Sequence, residues 1–324
     1  MKVDVILPTY DGAEFVAAAL DSVLAQTHGD WHLTAIDDGS TDETVELLAE
    51  FRRHQGKRIT LIRNEENMRA AACRMEATRA SDGELIAFID QDDVWTAGKL
   101  ARQVDILRRE PGLAAVHGDV EHIDVGGRLI PGSAAAENGY RLAVGFADLD
   151  CQQACRALFE RNSIRLVSAV VRRRAFLASG GFRKELFGGE DWEFWVRFAA
   201  RFRIGHIPEV LARRRIHAGN TSTSKVLERT SGLLQALSLL EHEQPWVADL
   251  CAAKRLELEG RMVLESSQAK HYGDAARAAW RALSVAPLRP VTAAYLGIAM
   301  SGPIGRQLVA LRRRHTNRLR GPVR

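Results

Sequence analysis

Apolar runs alternate with helix-like periodicity through the first third of the chain. Short continuous apolar runs are typical of strands buried on both faces, and the segments between them repeat apolar side chains every three or four positions. The predicted strands cover Val3–Leu7, Trp31–Asp37, Arg58–Ile62 and Leu85–Ile89. Asp11 with Glu14, and Ser40 with Glu43, have the spacing of capping boxes and predict two helix starts. Strands separated by helices predict an α/β fold with a mainly parallel sheet flanked by helices.

The pattern changes after Leu113. Short β-like pieces there flank a Gly- and Ala-containing stretch, 126–145, that predicts a loop insertion. Beyond Ser224 the apolar periodicity is helical almost throughout. The sequence therefore predicts two parts, an α/β domain over residues 1–224 and an all-helical extension with a basic tail over residues 225–324.

Charge is distributed unevenly along the 324 residues, whose formal net charge is +4. Seven arginines and no acidic residue lie between Gly305 and Arg324, so the remainder carries 4 − 7 = −3. A basic groove across the body is therefore not expected, and we predict no nucleic-acid partner. Apolar side chains between Leu296 and Leu311 lie beside Arg306 and Arg312–Arg314 in the sequence. Two interpretations of the tail are open, an amphipathic surface on anionic lipid and a solvated end packed on the body.

The N-terminal apolar run is too short for a signal peptide, and no window reaches the roughly 18 apolar residues of a transmembrane helix. The four cysteines form no CxxC pair and no zinc spacing with histidine. We therefore expect reduced thiols and a cytoplasmic location, with peripheral membrane contact if the tail binds lipid.

Two acidic clusters directly follow predicted strands. Asp37–Asp42 is explained in part by helix capping, but two adjacent carboxylates at a strand end also suit recognition of a base N–H. Asp90–Asp93 places three acids within four residues, which repel one another unless a cation neutralises them. Mn²⁺ or Mg²⁺ suits such a site, with substrate phosphates completing the coordination. The alternative is an exposed acidic turn.

Two further segments carry weaker signals. Glu190 and Asp191 open a predicted helix after a glycine turn, where acids either complement the helix dipole or present a general base. Trp192 fits the buried face of that helix. His217 follows an arginine run, and lone histidines are usually structural.

Five motifs occur in a fixed order along the chain. They are Val5–Tyr10, Asp37–Asp42, Asp90–Asp93, Gly189–Trp192 and Arg215–His217. Over about residues 1–222 this set resembles the family 2 inverting glycosyltransferases, which have the GT-A nucleotide-diphospho-sugar transferase fold. The resemblance implies transfer of a sugar from a nucleotide-diphospho-sugar, with UDP favoured, to a hydroxyl of a glycan or lipid-linked glycan.

The resemblance also implies roles for individual residues. Donor-binding residues would be Pro8, Thr9, Tyr10, Arg74, Asp90 and Gln91, with Asp37 or Asp38 reading the base. A divalent metal, Mn²⁺ or Mg²⁺, would bind Asp92 with His217 beside it. Asp191 would be the catalytic base, and Glu190 and Trp192 would lie on the acceptor side.

One motif of the family is only partly present. The family often has Asn-x-Gly-x-x-x-Ala-Arg-Asn before the second acidic cluster. Asn67 and Arg74 are kept here, whereas Arg69, Cys73 and Met75 replace its Gly, Ala and final Asn. These changes leave the implied catalytic set intact but alter the neighbourhood of the base and sugar.

Two alternatives are weighed against the transferase. The apolar strand Leu85–Ile89 followed by Asp-x-Asp also resembles haloacid-dehalogenase-type phosphohydrolases, in which Asp90 would be the nucleophile and Asp92 the acid/base. That reading leaves Asp37–Asp42 unexplained. A non-catalytic nucleotide-sugar-binding scaffold is the other alternative.

Overall fold

The computed structural model describes residues 1–131, 150–160, 162–220, 225–269, 271–286 and 290–301. Most of the predicted loop insertion and the basic tail lie outside these ranges. The chain divides into two compact units. The first comprises Met1–Glu185 and Glu190–Asn220, and the second comprises Leu186–Gly189 and Thr221–Arg324. The functional division at residue 224 stays a prediction.

An eight-stranded mixed sheet organises the first unit, with strand order β3-β2-β1-β4-β7-β6-β8-β5. The strands are β1 Val3–Thr9, β2 Trp31–Asp37, β3 Ile59–Arg63, β4 Leu85–Phe88, β5 Val94–Trp95, β6 Leu113–Ile123, β7 Val170–Arg172 and β8 Arg203–Arg215. The first four strands pair in parallel, as do β6 and β8. Strand β7 is antiparallel to β4 and β6, and β5 is antiparallel to β8. The parallel half supports the predicted βαβ units.

Helices flank this sheet. They are α1 Val16–Leu24, α2 Thr44–Gln55, α3 Ala70–Ala80, α4 Lys99–Arg109, α5 Cys151–Glu160, α6 Arg173–Ala178 and α7 Glu190–Ala199. Every residue of β1 is buried, because both faces of the strand are covered, and this explains its apolar residues Val3 and Val5–Leu7. The core includes Val5, Leu33 and Ala87 from three neighbouring strands.

The two predicted capping boxes are wrong. Helices α1 and α2 begin at Val16 and Thr44, and neither has a side-chain hydrogen bond from its N-cap residue. Asp11 and Ser40 instead bond each other's loops. The carboxylate of Asp11 accepts from Thr41 N at 2.8 Å, and Asp11 N donates to Ser40 Oγ at 3.0 Å. These polar residues join the β1–α1 and β2–α2 loops rather than cap helices.

Strand β8 was not predicted, because its arginines suggest a solvated run. It pairs in parallel with β6, and its last residue, Arg215, is aligned with Ile123. Arg215 is buried. The pairing brings the segment after β8 to the same edge as the segment after β4.

The second unit contains α8 Val226–Glu243, α9 Ala248–Gln268, α10 Tyr272–Val285 and α11 Pro290–Ser301 among the described residues. Its core includes Val263, Ala279 and Tyr295. Residues 186–189 belong to this unit because they pack against α8. A Cβ added to Gly232 would lie 1.8 Å from the carbonyl oxygen of Phe187, so only glycine permits this approach. Within the described ranges, no helix is both long enough and apolar enough to span a membrane.

Candidate donor and acceptor site

The predicted site residues gather at one edge of the sheet. Parallel strands β1, β2 and β4 end there, and ligands in such sheets bind beyond the carboxyl ends of the strands. Pro8 and Thr9 end β1 and are aligned with Ile36 and Asp37 on β2. Asp90 follows β4 by two residues. The alignment explains why motifs far apart in sequence form one site.

Asp37 stabilises the turn that follows β2. Its carboxylate is fully buried and accepts hydrogen bonds from Ser40 N at 3.1 Å and from Ser40 Oγ. Thr9 Oγ1 lies 3.4 Å from Asp37 Oδ1, and Arg63 Nε lies 3.9 Å from Asp37 Oδ2. This carboxylate therefore joins the ends of β1, β2 and β3.

Asp38 holds the loop between β3 and α3. Its Oδ1 accepts from Asn64 Nδ2 and Met68 N, both at 2.9 Å, and its Oδ2 accepts from Arg69 N at 2.7 Å. Arg69 has φ +72°, a backbone conformation that favours glycine. This is the position at which the partial motif lacks its glycine. The carboxylate of Asp38 thus supports a strained backbone, and reading of the base by either acid stays a prediction.

Gln91 fixes the loop after β1. Its Oε1 accepts from Tyr10 N at 2.7 Å, and its Nε2 donates to Tyr10 O at 3.0 Å, so the amide satisfies both backbone groups of one residue. Gly12 makes the contact possible, because a Cβ there would lie 2.3 Å from Gln91 Oε1. Tyr10 itself remains 46% exposed, and its contact with a nucleotide base stays a prediction.

Asp92 and His217 are brought together, as the predicted metal site requires. Asp92 Oδ2 lies 3.0 Å from His217 Nε2 and accepts from Asn220 Nδ2 at 3.0 Å. His217 N donates to Asn220 Oδ1 at 2.7 Å, and its ring packs on Phe15 with centroids 4.8 Å apart. No sequence pattern predicts that Asn220 completes this cluster.

The cluster fits a divalent cation that also binds donor phosphates. Both side chains are partly exposed, 20% for Asp92 and 18% for His217. Among the described residues, no group of three or more His, Cys, Asp or Glu side chains is placed to hold a metal alone. A single carboxylate leaves positions for phosphate and water oxygens, which is how Mg²⁺ is usually bound, and oxygen ligands also suit Mn²⁺.

Asp93 is structural. Burial, and then the charges of Asp92 and Asp90, raise the pKa of Asp93 well above its ordinary value. Its Oδ1 accepts from Arg215 N at 3.0 Å. Arg215 Nε donates to Asp92 O at 3.0 Å, and its Nη1 donates to Asp124 O at 3.0 Å. Arg215 therefore ties β8 to the acidic turn after β4.

Arg74 connects the donor side to the predicted base. Its guanidinium is 7% exposed, pairs with Asp90, and lies 3.8 Å from Glu190. Burial by itself lowers the pKa of Arg74. The negative charges of Asp90 and then Glu190 outweigh this effect, so the pKa of Arg74 is raised. The first turn of α7, which carries Asp191, is thus joined through Arg74 to the acidic turn after β4.

Trp192 lies inside the first unit. It is buried, its Nε1 donates to Leu158 O at 2.9 Å, and its ring meets that of Phe159 edge-on. These contacts dock α7 against α5. An acceptor-side role for Trp192 or Glu190 stays a prediction.

A family profile described as Glycosyl transferase family 2 matches residues 4–165. This is half of the 324 residues and includes both acidic clusters and Arg74. The chain belongs to glycosyl transferase family 2. Membership confirms the resemblance drawn from the ordered motifs and favours a transferase over a phosphohydrolase with Asp90 as nucleophile.

Two curated relatives in this family share the N-terminal region. The chain is 35% identical over 122 residues to the Escherichia coli UDP-Glc:alpha-D-GlcNAc-diphosphoundecaprenol beta-1,3-glucosyltransferase WfgD, covering 38% of this chain and 47% of that protein. It is 35% identical over 105 residues to the putative teichuronic acid biosynthesis glycosyltransferase TuaG of Bacillus subtilis (strain 168), covering 32% and 41%. The chain spans less than half the length of either relative.

A solved structure from Staphylococcus aureus shares the fold. TarS 1-349 in complex with UDP-GlcNAc superposes with a TM-score of 0.58 at 16% identity, covering 93% of this chain and 80% of that one. At this identity the likeness concerns the fold alone. It confirms the predicted GT-A-type α/β architecture with a helical C-terminal region for this family 2 member.

Proposed function

We propose that the chain transfers a sugar from a UDP-sugar to a hydroxyl of a glycan or lipid-linked glycan, with inversion at the anomeric carbon. Support for the donor comes from the UDP-Glc in the name of WfgD and from the UDP-GlcNAc bound to TarS. Support for the acceptor comes from the diphosphoundecaprenol-linked GlcNAc in the name of WfgD. The observation that carries the proposal is that one acidic turn makes two contacts: Asp92 pairs with His217, and Asp90 pairs with Arg74. Arg74 in turn lies 3.8 Å from Glu190, the residue before Asp191.

The reaction is a single displacement. The acceptor oxygen attacks the anomeric carbon as its proton passes to a carboxylate oxygen of Asp191. The new oxygen–carbon bond forms while the bond to the nucleotide diphosphate breaks, and the electron pair leaves with the diphosphate. One displacement with one base inverts the configuration, and general-base assistance is worth roughly 10²–10⁴ in rate.

Asp92 and His217 would hold the divalent metal. The metal, when bound, would neutralise the charge that develops on the departing diphosphate. Arg74 supplies fixed positive charge beside Asp90 and needs no metal to do so. Tyr10, positioned by Gln91, would cover the nucleotide base with its exposed ring.

Nucleotide binding tests the donor site. We expect UDP to bind in calorimetry with Mn²⁺ present, more tightly than GDP or dTDP, and to lose most of its affinity in Asp92→Ala. Asp21→Ala, which removes an exposed carboxylate from α1, is the matched control and should bind normally. Failure of all three nucleotides to bind with Mn²⁺ would refute the donor assignment.

Transfer assays test the base. We expect Asp191→Asn to retain UDP affinity and lose transfer by at least about 10²-fold. Glu185→Gln, which changes an exposed acid nearby in sequence, should transfer normally. Wild-type transfer by Asp191→Asn would show that another group is the base. Nucleotide binding without any transfer by the wild type would favour the non-catalytic scaffold.

Membrane contact is a separate part of the proposal. The arginine-rich residues 305–324 lie outside the described residues, and their composition suits anionic lipid. We expect salt-sensitive binding to anionic vesicles that is lost when the chain is truncated after Pro303. A truncated chain that bound vesicles as well as the full chain would refute a role for the tail and a peripheral cytoplasmic location based on it.

A further inference from the structure

Asp191 has a hydrogen-bond partner that none of the motifs contains. Asn162 follows α5, and its Nδ2 donates to Asp191 Oδ2 at 3.0 Å. The other carboxylate oxygen, Oδ1, accepts from Trp192 N at 2.7 Å. Each oxygen of the predicted base therefore has one donor. The amide of Asn162 must present its nitrogen to Asp191, because its oxygen would repel the carboxylate.

The other end of the same amide has no partner among the described residues. Asn162 Oδ1 is a buried atom without a hydrogen-bond donor there. Buried polar atoms are satisfied in the great majority of cases, by protein groups or by ordered water. Among the described residues the amide of Asn162 therefore bonds through its nitrogen alone, and that bond is to Asp191.

The surroundings hold Asn162 and Asp191 in a fixed relation. Trp192, the residue after Asp191, bonds to Leu158 on α5, four residues before Asn162. Glu190, the residue before Asp191, lies 3.8 Å from Arg74. With α7 held on both sides, the remaining freedom of the base is rotation of its carboxylate, and the amide of Asn162 restricts that rotation.

We propose that Asn162 is a positioning residue for the base Asp191. The inference rests on the proposed function, in which Asp191 removes the proton from the attacking hydroxyl. Asn162 Nδ2 fixes the orientation of the carboxylate that receives this proton. Positioning of this kind is costly to lose, since a misplacement of about 1 Å can reduce the rate about 10²-fold.

Two variants test the contact between the amide and the base. Asn162→Ala removes the amide, so we expect kcat to fall about 10–100-fold. Asn162→Asp is isosteric but replaces the amide donor with a carboxylate oxygen, so kcat should fall as well. The UDP affinity of both variants should stay within about twofold of wild type, because the donor site lacks Asn162.

The pH profile supplies a readout that a purely structural role would not move. Asn162→Asp places a second carboxylate beside Asp191, near Glu190 and the guanidinium of Arg74. Adjacent carboxylates share a proton, so the acidic limb of the kcat profile should move to higher pH in Asn162→Asp but not in Asn162→Ala. Gln153→Ala is the matched control, because it removes an exposed amide whose oxygen accepts a hydrogen bond from Asp150 N.

The outcomes distinguish this inference from the function on which it rests. A wild-type kcat in Asn162→Ala, with Asp191→Asn inactive, would overturn the positioning role and leave the transferase intact. Loss of UDP affinity and thermal stability together with kcat would make the role of Asn162 structural and would also overturn the proposal. Transfer by Asp191→Asn would overturn the base assignment itself.

Discussion

Arg69 occupies a backbone conformation that suits glycine. The Arg69→Gly protein should therefore be more stable than the Arg69→Ala protein. The φ of +72° and ψ of +154° at Arg69 lie where residues with a Cβ are strained, at a cost of about 1–3 kcal/mol. Glycine also makes the unfolded chain more flexible, which offsets about 0.4–1 kcal/mol. The expected net gain of Arg69→Gly over Arg69→Ala is therefore about 1 kcal/mol.

The comparison with Arg69→Ala isolates the backbone effect. Both variants lose the contacts of the arginine side chain, but alanine keeps the strain. Urea unfolding at fixed pH, followed by tryptophan fluorescence, should give a higher midpoint for Arg69→Gly with an unchanged m-value. An Arg69→Ala protein as stable as Arg69→Gly would refute the argument from strain.

Asp38 provides a second test of the same reasoning. Its carboxylate accepts from Met68 N and Arg69 N and so stabilises the strained loop. In an Asp38→Asn background the loop relaxes, and the advantage of Arg69→Gly should shrink. Contacting residues usually show such non-additivity. Equal gains in both backgrounds would indicate that Asp38 does not maintain the positive φ.

Two further predictions concern buried groups. Burial lowers the pKa of Lys99 well below 10.5, so the unfolded chain binds a proton that the folded chain lacks, and wild-type stability should rise with pH up to about that value. The free energy of unfolding, measured in urea between pH 7 and 10, should rise with pH more steeply for the wild type than for Lys99→Met, by up to about 1.4 kcal/mol per pH unit. Parallel curves of unfolding free energy against pH for the two proteins would contradict this. Gly12→Ala places a Cβ 2.3 Å from Gln91 Oε1, so the Gln91–Tyr10 pairing should break. UDP affinity should then fall about tenfold or more with little change in the urea midpoint, whereas Gly29→Ala, where a Cβ meets nothing within 4 Å, should leave affinity unchanged.

Local patterns predicted the parallel half of the fold well. The strand Trp31–Asp37 was predicted with its observed bounds, because aromatic, β-branched and other apolar residues prevail in it. The capping boxes failed for a physical reason. Asp11 and Ser40 are residue types that often cap helices, but the side chain of each forms a hydrogen bond with the loop that carries the other. No local sequence pattern predicts a contact between two loops.

Some residues of the site could be predicted from sequence patterns, and others could not. Asp92 and His217 were predicted from ordered motifs, and the structure brings them within 3.0 Å. Asn162 and Asn220 were missed, because a lone asparagine carries no periodicity and no charge. The burial of Arg215 was not predicted, because a run of arginines suggests exposure to solvent. Parallel pairing of β8 with β6 buries Arg215, the last residue of that run. Tertiary contacts of this kind need the three-dimensional arrangement.

The close approach of Gly232 to Phe187 has a consequence for modularity. Residues 186–189 belong to the helical unit although their neighbours on both sides belong to the other unit. The helical unit is therefore discontinuous in sequence, and recombination at a single point cannot exchange it as a cassette. A relative with a different C-terminal extension would need different residues before Glu190 as well. The reason is that the backbone of Phe187 approaches α8 at Gly232, where no side chain fits. Selection on either segment is thereby linked to selection on the other.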